Sequence, residues 1–167
     1  MRKQTMENLR NERIMVLEKE LELVKSSMEE FLLKEFNRTL EYENDQCSIE
    51  AGYYNVCPNP WTPKEKEGFR DMFLNHPEIT DGAETMKDAV WACVRAVKKL
   101  DVINRVLESI EKEGAEAVEA KAQPRTDGYD NDFAVKEEVR EILTVIKAGV
   151  VTDPYQVLLE LKAQGVM

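Results

Sequence analysis

The segment that decides the fold runs from Asp81 to Lys112 and reads DGAETMKDAVWACVRAVKKLDVINRVLESIEK. Its opening, Asp81-Gly82-Ala83-Glu84, places an acidic residue three positions after a candidate N-cap, and this spacing predicts a helix that begins there. The apolar residues that follow cover well over half of the helix circumference: Val90, Trp91, Cys93, Val94, Val97, Leu100, Val102, Ile103, Val106, Leu107 and Ile110. A helix that is apolar on so many sides is normally the one around which others pack. We therefore predict that this helix is the centre of the core.

Capping signals predict further helices on both sides of the central one. Thr62-Pro63-Lys64-Glu65 has the spacing of a capping box with proline at the first helical position, which predicts a helix over Pro63–Leu74. Asp153-Pro154-Tyr155-Gln156 has the same pattern and predicts a helix over Pro154–Ala163. With a helix from about Phe133 to Ala148, it is expected to form a C-terminal helical hairpin. The predicted fold class is all-α.

The N-terminal segment, from about Thr5 to Glu43, contains no glycine or proline and predicts one long helix. Within it, apolar residues alternate three and four positions apart, as in a heptad repeat: Ile14, Leu17, Leu21, Val24, Met28 and Phe31. After Phe31 the apolar series changes register to Leu32, Phe36 and Leu40. Such a series is typical either of a coiled-coil oligomerisation segment or of a helix that packs on its own chain, and the residues favour neither.

These patterns divide the chain into four segments: a long N-terminal helix at 1–43, a helical core at 44–121, an acidic linker at 122–132 and a C-terminal helical hairpin at 133–167. Residues 44–60 contain glycine, prolines and tyrosines, and are compatible with a short strand pair or an ordered loop. A hairpin in an oxidising compartment would allow Cys47 and Cys57 to pair. The sparse, odd set of three cysteines favours reduced thiols instead.

The composition is that of a folded, acidic, intracellular protein. The 167 residues carry a formal net charge of −10, and 43% hydrophobic residues is too many for a wholly disordered chain. No run approaches 18 apolar residues and the N-terminus lacks a signal-peptide pattern, so we expect a soluble cytoplasmic protein, or a nuclear one in a eukaryote, with no membrane partner. Because acidic charge is spread along the chain, we do not expect direct nucleic-acid binding.

Groups suited to catalysis are few. His76 is the single histidine and lies before a proline at a predicted helix end, where its commonest role is contact with terminal carbonyls. Glutamates three residues apart occur at Glu108/Glu111, Glu116/Glu119 and Glu138/Glu141. Such pairs can hold Mg²⁺ on a helix, but a chain with 33 acidic residues acquires them by chance. We expect no enzyme, no metal and no cofactor, with a magnesium-dependent all-α nucleotide hydrolase as the alternative.

A group of basic residues on the central helix is a candidate contact for an acidic partner or a phosphate. It consists of Arg95, Lys98, Lys99 and Arg105, opposed only by Asp101 within residues 92–107. The alternative interpretation is that a mostly buried helix exposes basic residues because its neighbours are acidic.

Residues 61–77, WTPKEKEGFRDMFLNHP, resemble the first helix of a SANT domain, which opens with Trp-Ser/Thr-x-x-Glu followed by phenylalanines four positions apart. The resemblance implies a histone- or corepressor-binding module. The next segment departs from that family, because one helix of nearly thirty residues is predicted where SANT domains have two short ones.

These observations predict a non-catalytic protein that associates with other protein chains, by self-assembly through the N-terminal helix or by docking a partner. A homodimer is the favoured oligomer. The alternative from another class is an acidic protein that imitates nucleic acid and inhibits a DNA- or RNA-binding protein.

Overall fold

The computed structural model confirms the all-α fold class. It describes residues 2–53, 61–125, 128, 131–149 and 153–167, with the backbone alone for 48–53. The described residues form seven helices and no strand: α1 (Arg2–Tyr53), α2 (Pro63–Asn75), α3 (Pro77–Thr80), α4 (Met86–Glu113), α5 (Ala115–Lys121), α6 (Phe133–Gly149) and α7 (Pro154–Ala163). They fall into two compact units, Met1–Trp61 and Thr62–Met167.

In the first unit, α1 runs for 52 residues, about 78 Å at 1.5 Å per residue. The predicted end at Glu43 is wrong, because Asn44 and the residues after it include no proline and no glycine before Gly52. The proposed boundary between segments 1–43 and 44–121 therefore falls inside a helix. Residues 44–53 form no strand, while 54–60 and a Cys47–Cys57 disulfide lie outside the described residues.

The two ends of α1 differ in burial. Every described side chain from Arg2 to Leu32 is exposed. Buried side chains begin only in the C-terminal third, at Phe36, Leu40, Glu43 and Asn44. Their spacing of four, three and one residues places them on one side of the helix.

In the second unit, α4 is the central helix, as predicted. It contacts α2, α3, α5, α6 and α7. Its buried residues are Ala89, Val90, Cys93, Val94, Ala96, Ile103 and Val106. Alanine and cysteine among them let neighbouring helices approach closely, and Gly68 of α2 lies where an added Cβ would be 3.8 Å from Val97.

The predicted start of the central helix at Asp81 is wrong. Gly82 has φ of +86°, a left-handed conformation that ends regular helix, and the short α3 precedes it. The helix begins instead at Met86, where the Thr85 hydroxyl accepts a hydrogen bond from the Asp88 backbone amide at 3.1 Å.

The capping box predicted at Thr62 is confirmed, and Asp153 is a cap but, among the described residues, forms no reciprocal box with Gln156. Thr62 and Glu65 form a reciprocal capping box, with hydrogen bonds of 3.1 and 3.2 Å. The Asp153 carboxylate caps α7 by accepting from the Tyr155 amide at 3.2 Å. α6 and α7 contact each other, with a bend of 105° between their axes.

Replacing Thr62 with alanine removes the side chain that accepts the Glu65 amide. We expect the free energy of unfolding to fall by about 1 kcal/mol, measured by urea denaturation. Thr144→Ala is the matched control, because this exposed hydroxyl only donates to the Arg140 carbonyl within α6, and its loss should change stability by less than about 0.5 kcal/mol. Equal effects of the two changes would contradict the assigned cap.

Candidate interaction surface

The α1 stripe is an exposed row of large apolar side chains, made up of the six predicted heptad residues. All six lie on α1 with 47–63% of their surface exposed: Ile14, Leu17, Leu21, Val24, Met28 and Phe31. The row spans about 27 Å of helix. Single exposed apolar residues are ordinary, but a contiguous row marks a surface that another molecule can cover.

A hollow lies in the second half of the α1 stripe. Its lining residues are Leu23, Val24, Ser27, Met28, Phe31 and Leu32. The small Ser27 side chain leaves space between its larger neighbours. Such a depression on a helix surface is the shape that receives a side chain from another helix in knobs-into-holes packing.

The α1 stripe does not continue into the buried face of the same helix. Continuing its heptad leads to Glu35 and Arg38, which form a 2.7 Å ion pair, with 77% of the Arg38 side chain exposed. Buried Phe36 and Leu40 lie on a different side of the helix. The change of register predicted after Phe31 therefore separates an exposed apolar face from a buried one.

The basic group on α4 is not one open surface. Lys99 donates to Glu138 on α6 at 2.7 Å, with only 15% of its side chain exposed. Arg105 pairs with Asp101 at 2.9 Å on the exposed side of α4. Arg95 and Lys98 are exposed and make no ion pair with the described residues.

Arg95 borders a small cleft whose other charged residues are mostly acidic. The cleft is lined in part by Asp81, Glu84, Asp88 and Lys162. Carboxylates on that side weaken the attraction of Arg95 for an acidic partner. The structure therefore leaves Lys98 as the least opposed member of the predicted group.

A polar cluster between α3 and α7 was not predicted from the sequence. The Tyr155 hydroxyl donates to Glu78 Oε2 at 2.8 Å, and the ring of His76 lies 4.3 Å from that of Tyr155. Lys162 Nζ donates to the backbone carbonyls of Glu78, Ile79 (3.2 Å) and Asp81 (3.5 Å). The lysine thus supplies positive charge and donors to the carbonyl end of α3, where they are favourable.

Two side chains of this cluster have shifted pKa values. The pKa of the Glu78 carboxyl is lowered by hydrogen bonding to its own backbone and then to Tyr155. Burial, followed by the bond to Glu78, raises the pKa of Tyr155 to about 12. The phenol therefore stays protonated at neutral pH and donates to an ionised carboxylate.

Three other candidate groups, Cys93, Glu119 and Glu138, have a shifted pKa or an ion-pair partner. Burial raises the pKa of the Cys93 thiol to about 12, so the nucleophilic thiolate is disfavoured. Glu138 and Glu119 pair with Lys99 and Lys147 respectively. Within the part of the chain that the structure describes, no three His, Cys, Asp or Glu residues are grouped to hold a metal ion.

Among the described residues no single helix is long and apolar enough to cross a bilayer, whereas α6 and α7 taken together pass on length and composition with a 105° bend between them. No family model, curated protein or solved structure matches the chain. The resemblance of residues 61–77 to SANT rests on those residues alone, and the 28-residue α4 departs from that pattern.

Tyr155→Phe should lower the urea midpoint at pH 7, because the donor to Glu78 is lost. Because folding lowers the pKa of Glu78, this residue stabilises the folded state fully above pH 4.5. That contribution is lost as the pH falls through the pKa that Glu78 has in the folded protein. Because folding raises the pKa of Tyr155, this residue stabilises the folded state fully below pH 10. That contribution is lost as the pH rises toward 12.

The difference between wild type and Tyr155→Phe should therefore be constant from about pH 5 to 9 and shrink at both extremes. Urea titrations at pH 3, 7 and 11 measure it. Tyr42→Phe, at an exposed tyrosine on α1, is the matched control and should leave the midpoint unchanged at every pH. A difference that stays constant across all three pH values would contradict the assigned hydrogen bond.

Proposed function

We propose that this chain is a non-catalytic association protein that self-assembles through the α1 stripe. The observation that carries the proposal is that six large apolar residues, in heptad spacing, remain 47–63% exposed on one helix. Among the described residues of its own unit, no member of this row is buried, and its heptad spacing suits a single partner helix. Of the two interpretations left open by the sequence, this supports association with another molecule.

The energetic scale of the stripe is sufficient for association. Removing the remaining exposed surface of six residues in each of two copies contributes on the order of 10 kcal/mol, from roughly 1.5–3 kcal/mol for complete burial of one such side chain. Association costs roughly 4–15 kcal/mol in lost freedom of motion. The two terms are of similar size, which supports an assembly of moderate affinity that depends on every member of the stripe.

The remaining chemistry is consistent with a non-catalytic role. The ring of the single histidine lies 4.3 Å from that of Tyr155 and is tilted against it, and the thiol of Cys93 is buried and held protonated. Two of the carboxylates in the predicted Glu pairs, Glu119 and Glu138, are taken up in ion pairs. These groups act as structural contacts in the described part of the chain.

Replacing Leu21 and Val24 with aspartate should convert the assembly to monomer while leaving helix content unchanged. The two new carboxylates in the α1 stripe would have to be desolvated on association. The free-energy cost of this desolvation exceeds the gain from burying the apolar residues that remain. Light scattering at two protein concentrations and two salt concentrations measures the molar mass. Circular dichroism measures the helix content.

The matched control is Leu9→Asp with Val16→Asp, which makes the same chemical changes at exposed residues outside the heptad row and outside the hollow. This variant should retain the wild-type mass. A wild-type protein that is monomeric under all four conditions would overturn the proposal. A lower molar mass in both variants would mean that the chains associate through non-specific apolar contacts rather than through the α1 stripe.

A further inference from the structure

We infer that the α1 stripe pairs with the same helix of a second copy, antiparallel, in the register that sets Ile14 opposite Phe31. The inference rests on the proposed function and specifies its partner. It is carried by the arrangement of charge at the two ends of the stripe, which the apolar residues alone do not reveal.

The heptad positions that flank the stripe are charged. One heptad earlier they hold Glu7 and Arg10, both exposed, and one heptad later they hold Glu35 and Arg38. We call the α1 stripe together with these four charged residues the seam. The seam has the same order of charges, glutamate then arginine, at each end. It spans 32 residues from Glu7 to Arg38, about 48 Å, and reaches four and a half heptads.

Antiparallel pairing places every seam residue opposite a complementary one. In antiparallel coiled coils the a and d positions of one helix share layers with d and a of the other. With Ile14 opposite Phe31, the five distinct layers are Glu7–Arg38, Arg10–Glu35, Ile14–Phe31, Leu17–Met28 and Leu21–Val24. Each occurs twice by symmetry, so apolar residues meet only apolar residues and each charge meets its opposite.

Other registers lose this match. Sliding one helix by a heptad in one direction sets Glu7 opposite Phe31, and sliding it the other way sets Ile14 opposite Arg38. Both shifts would bury a charge against an apolar side chain without a partner, which is costly. The register with Ile14 opposite Phe31 is the one in which neither end carries that cost.

Parallel pairing in register sets each end residue opposite its own copy. Glu7 and Glu35 would then face identical carboxylates, and Arg10 and Arg38 identical guanidinium groups. Like charges in the same layer repel. The seam itself therefore disfavours the parallel dimer.

Taken alone, the residues beside the seam favour the parallel dimer. A parallel dimer would gain contacts between Arg13 and Glu18 and between Glu20 and Lys25, whereas the antiparallel dimer gains Glu18 with Lys25. The antiparallel dimer also sets Arg13 beside Lys34, which is repulsive. These flanking side chains are more exposed to solvent than the seam layers, so screening reduces their effect and the seam decides.

Distances between spin labels at Glu12 and at Lys19 test the orientation. Both residues are exposed and lie one heptad apart on the side of α1 away from the seam. Each is changed to cysteine singly in a full-length chain whose Cys47, Cys57 and Cys93 are replaced by alanine. In the antiparallel pair the labels are displaced along the axis by about 32 Å for position 12 and about 10 Å for position 19.

Parallel pairing in register would instead give equal distances at the two positions. Unequal distances with the longer one at position 12 are therefore expected, and equal distances overturn the inference. A dimer with equal distances leaves the proposed function standing, whereas a monomer removes both. A mass above that of a dimer overturns the two-helix pair.

Charge reversal in the chain with its native cysteines tests the register independently. Arg10→Glu sets two carboxylates in one layer, with Glu35 of the other copy, and Glu35→Arg sets two cations there. We expect each single change to raise the dimer dissociation constant about tenfold, and the double change to restore it to within about threefold of wild type.

In a parallel dimer all three variants keep like charges opposite each other, so their dissociation constants would not show this loss and recovery. Lys19→Glu is the matched control, because it reverses a charge on α1 outside the seam and should leave the constant unchanged. Circular dichroism of each variant checks that α1 remains helical. Failure of the double variant to recover, with helicity intact, overturns the register.

Discussion

Burial around α4 is the constraint on which the second unit depends. α4 contacts every other helix of that unit, and its buried face combines branched residues such as Val90 and Ile103 with the smaller Cys93 and Ala96. Large side chains fill the space between helices, while small ones let a neighbouring backbone come close. The other five helices are short or of moderate length, so they obtain their stability mainly through contact with α4 rather than from helix propensity.

The apolar residues of α4 and of α1 are used differently. α4 has apolar residues on many sides and buries them within the chain, whereas α1 keeps a narrow apolar row exposed and buries another face near its C-terminal end. The difference lies in spacing rather than in composition. A strict three-and-four alternation produces a seam suited to one partner helix, while a broad apolar surface is suited to several neighbours.

The sequence predicts features that depend on neighbouring residues, such as helix caps, but not contacts between residues far apart in the chain. The box at Thr62 and the cap at Asp153 depend on residues two or three positions apart, so both were predicted correctly. The start of α4 was misplaced because Asp81 and Thr85 both offer a cap, and only the backbone of Gly82 decides between them. Contacts such as Lys162 with the end of α3 join residues about eighty positions apart, and no spacing rule finds them.

The length of α1 has a geometric consequence for any assembly built on it. The helix extends to Tyr53, well beyond the centre of an antiparallel seam, which lies between Glu22 and Leu23. At 1.5 Å per residue, the two Tyr53 ends of such a pair stand about 90 Å apart. The paired helices would then hold two identical helix ends at a separation fixed by the number of residues between the centre of the seam and Tyr53.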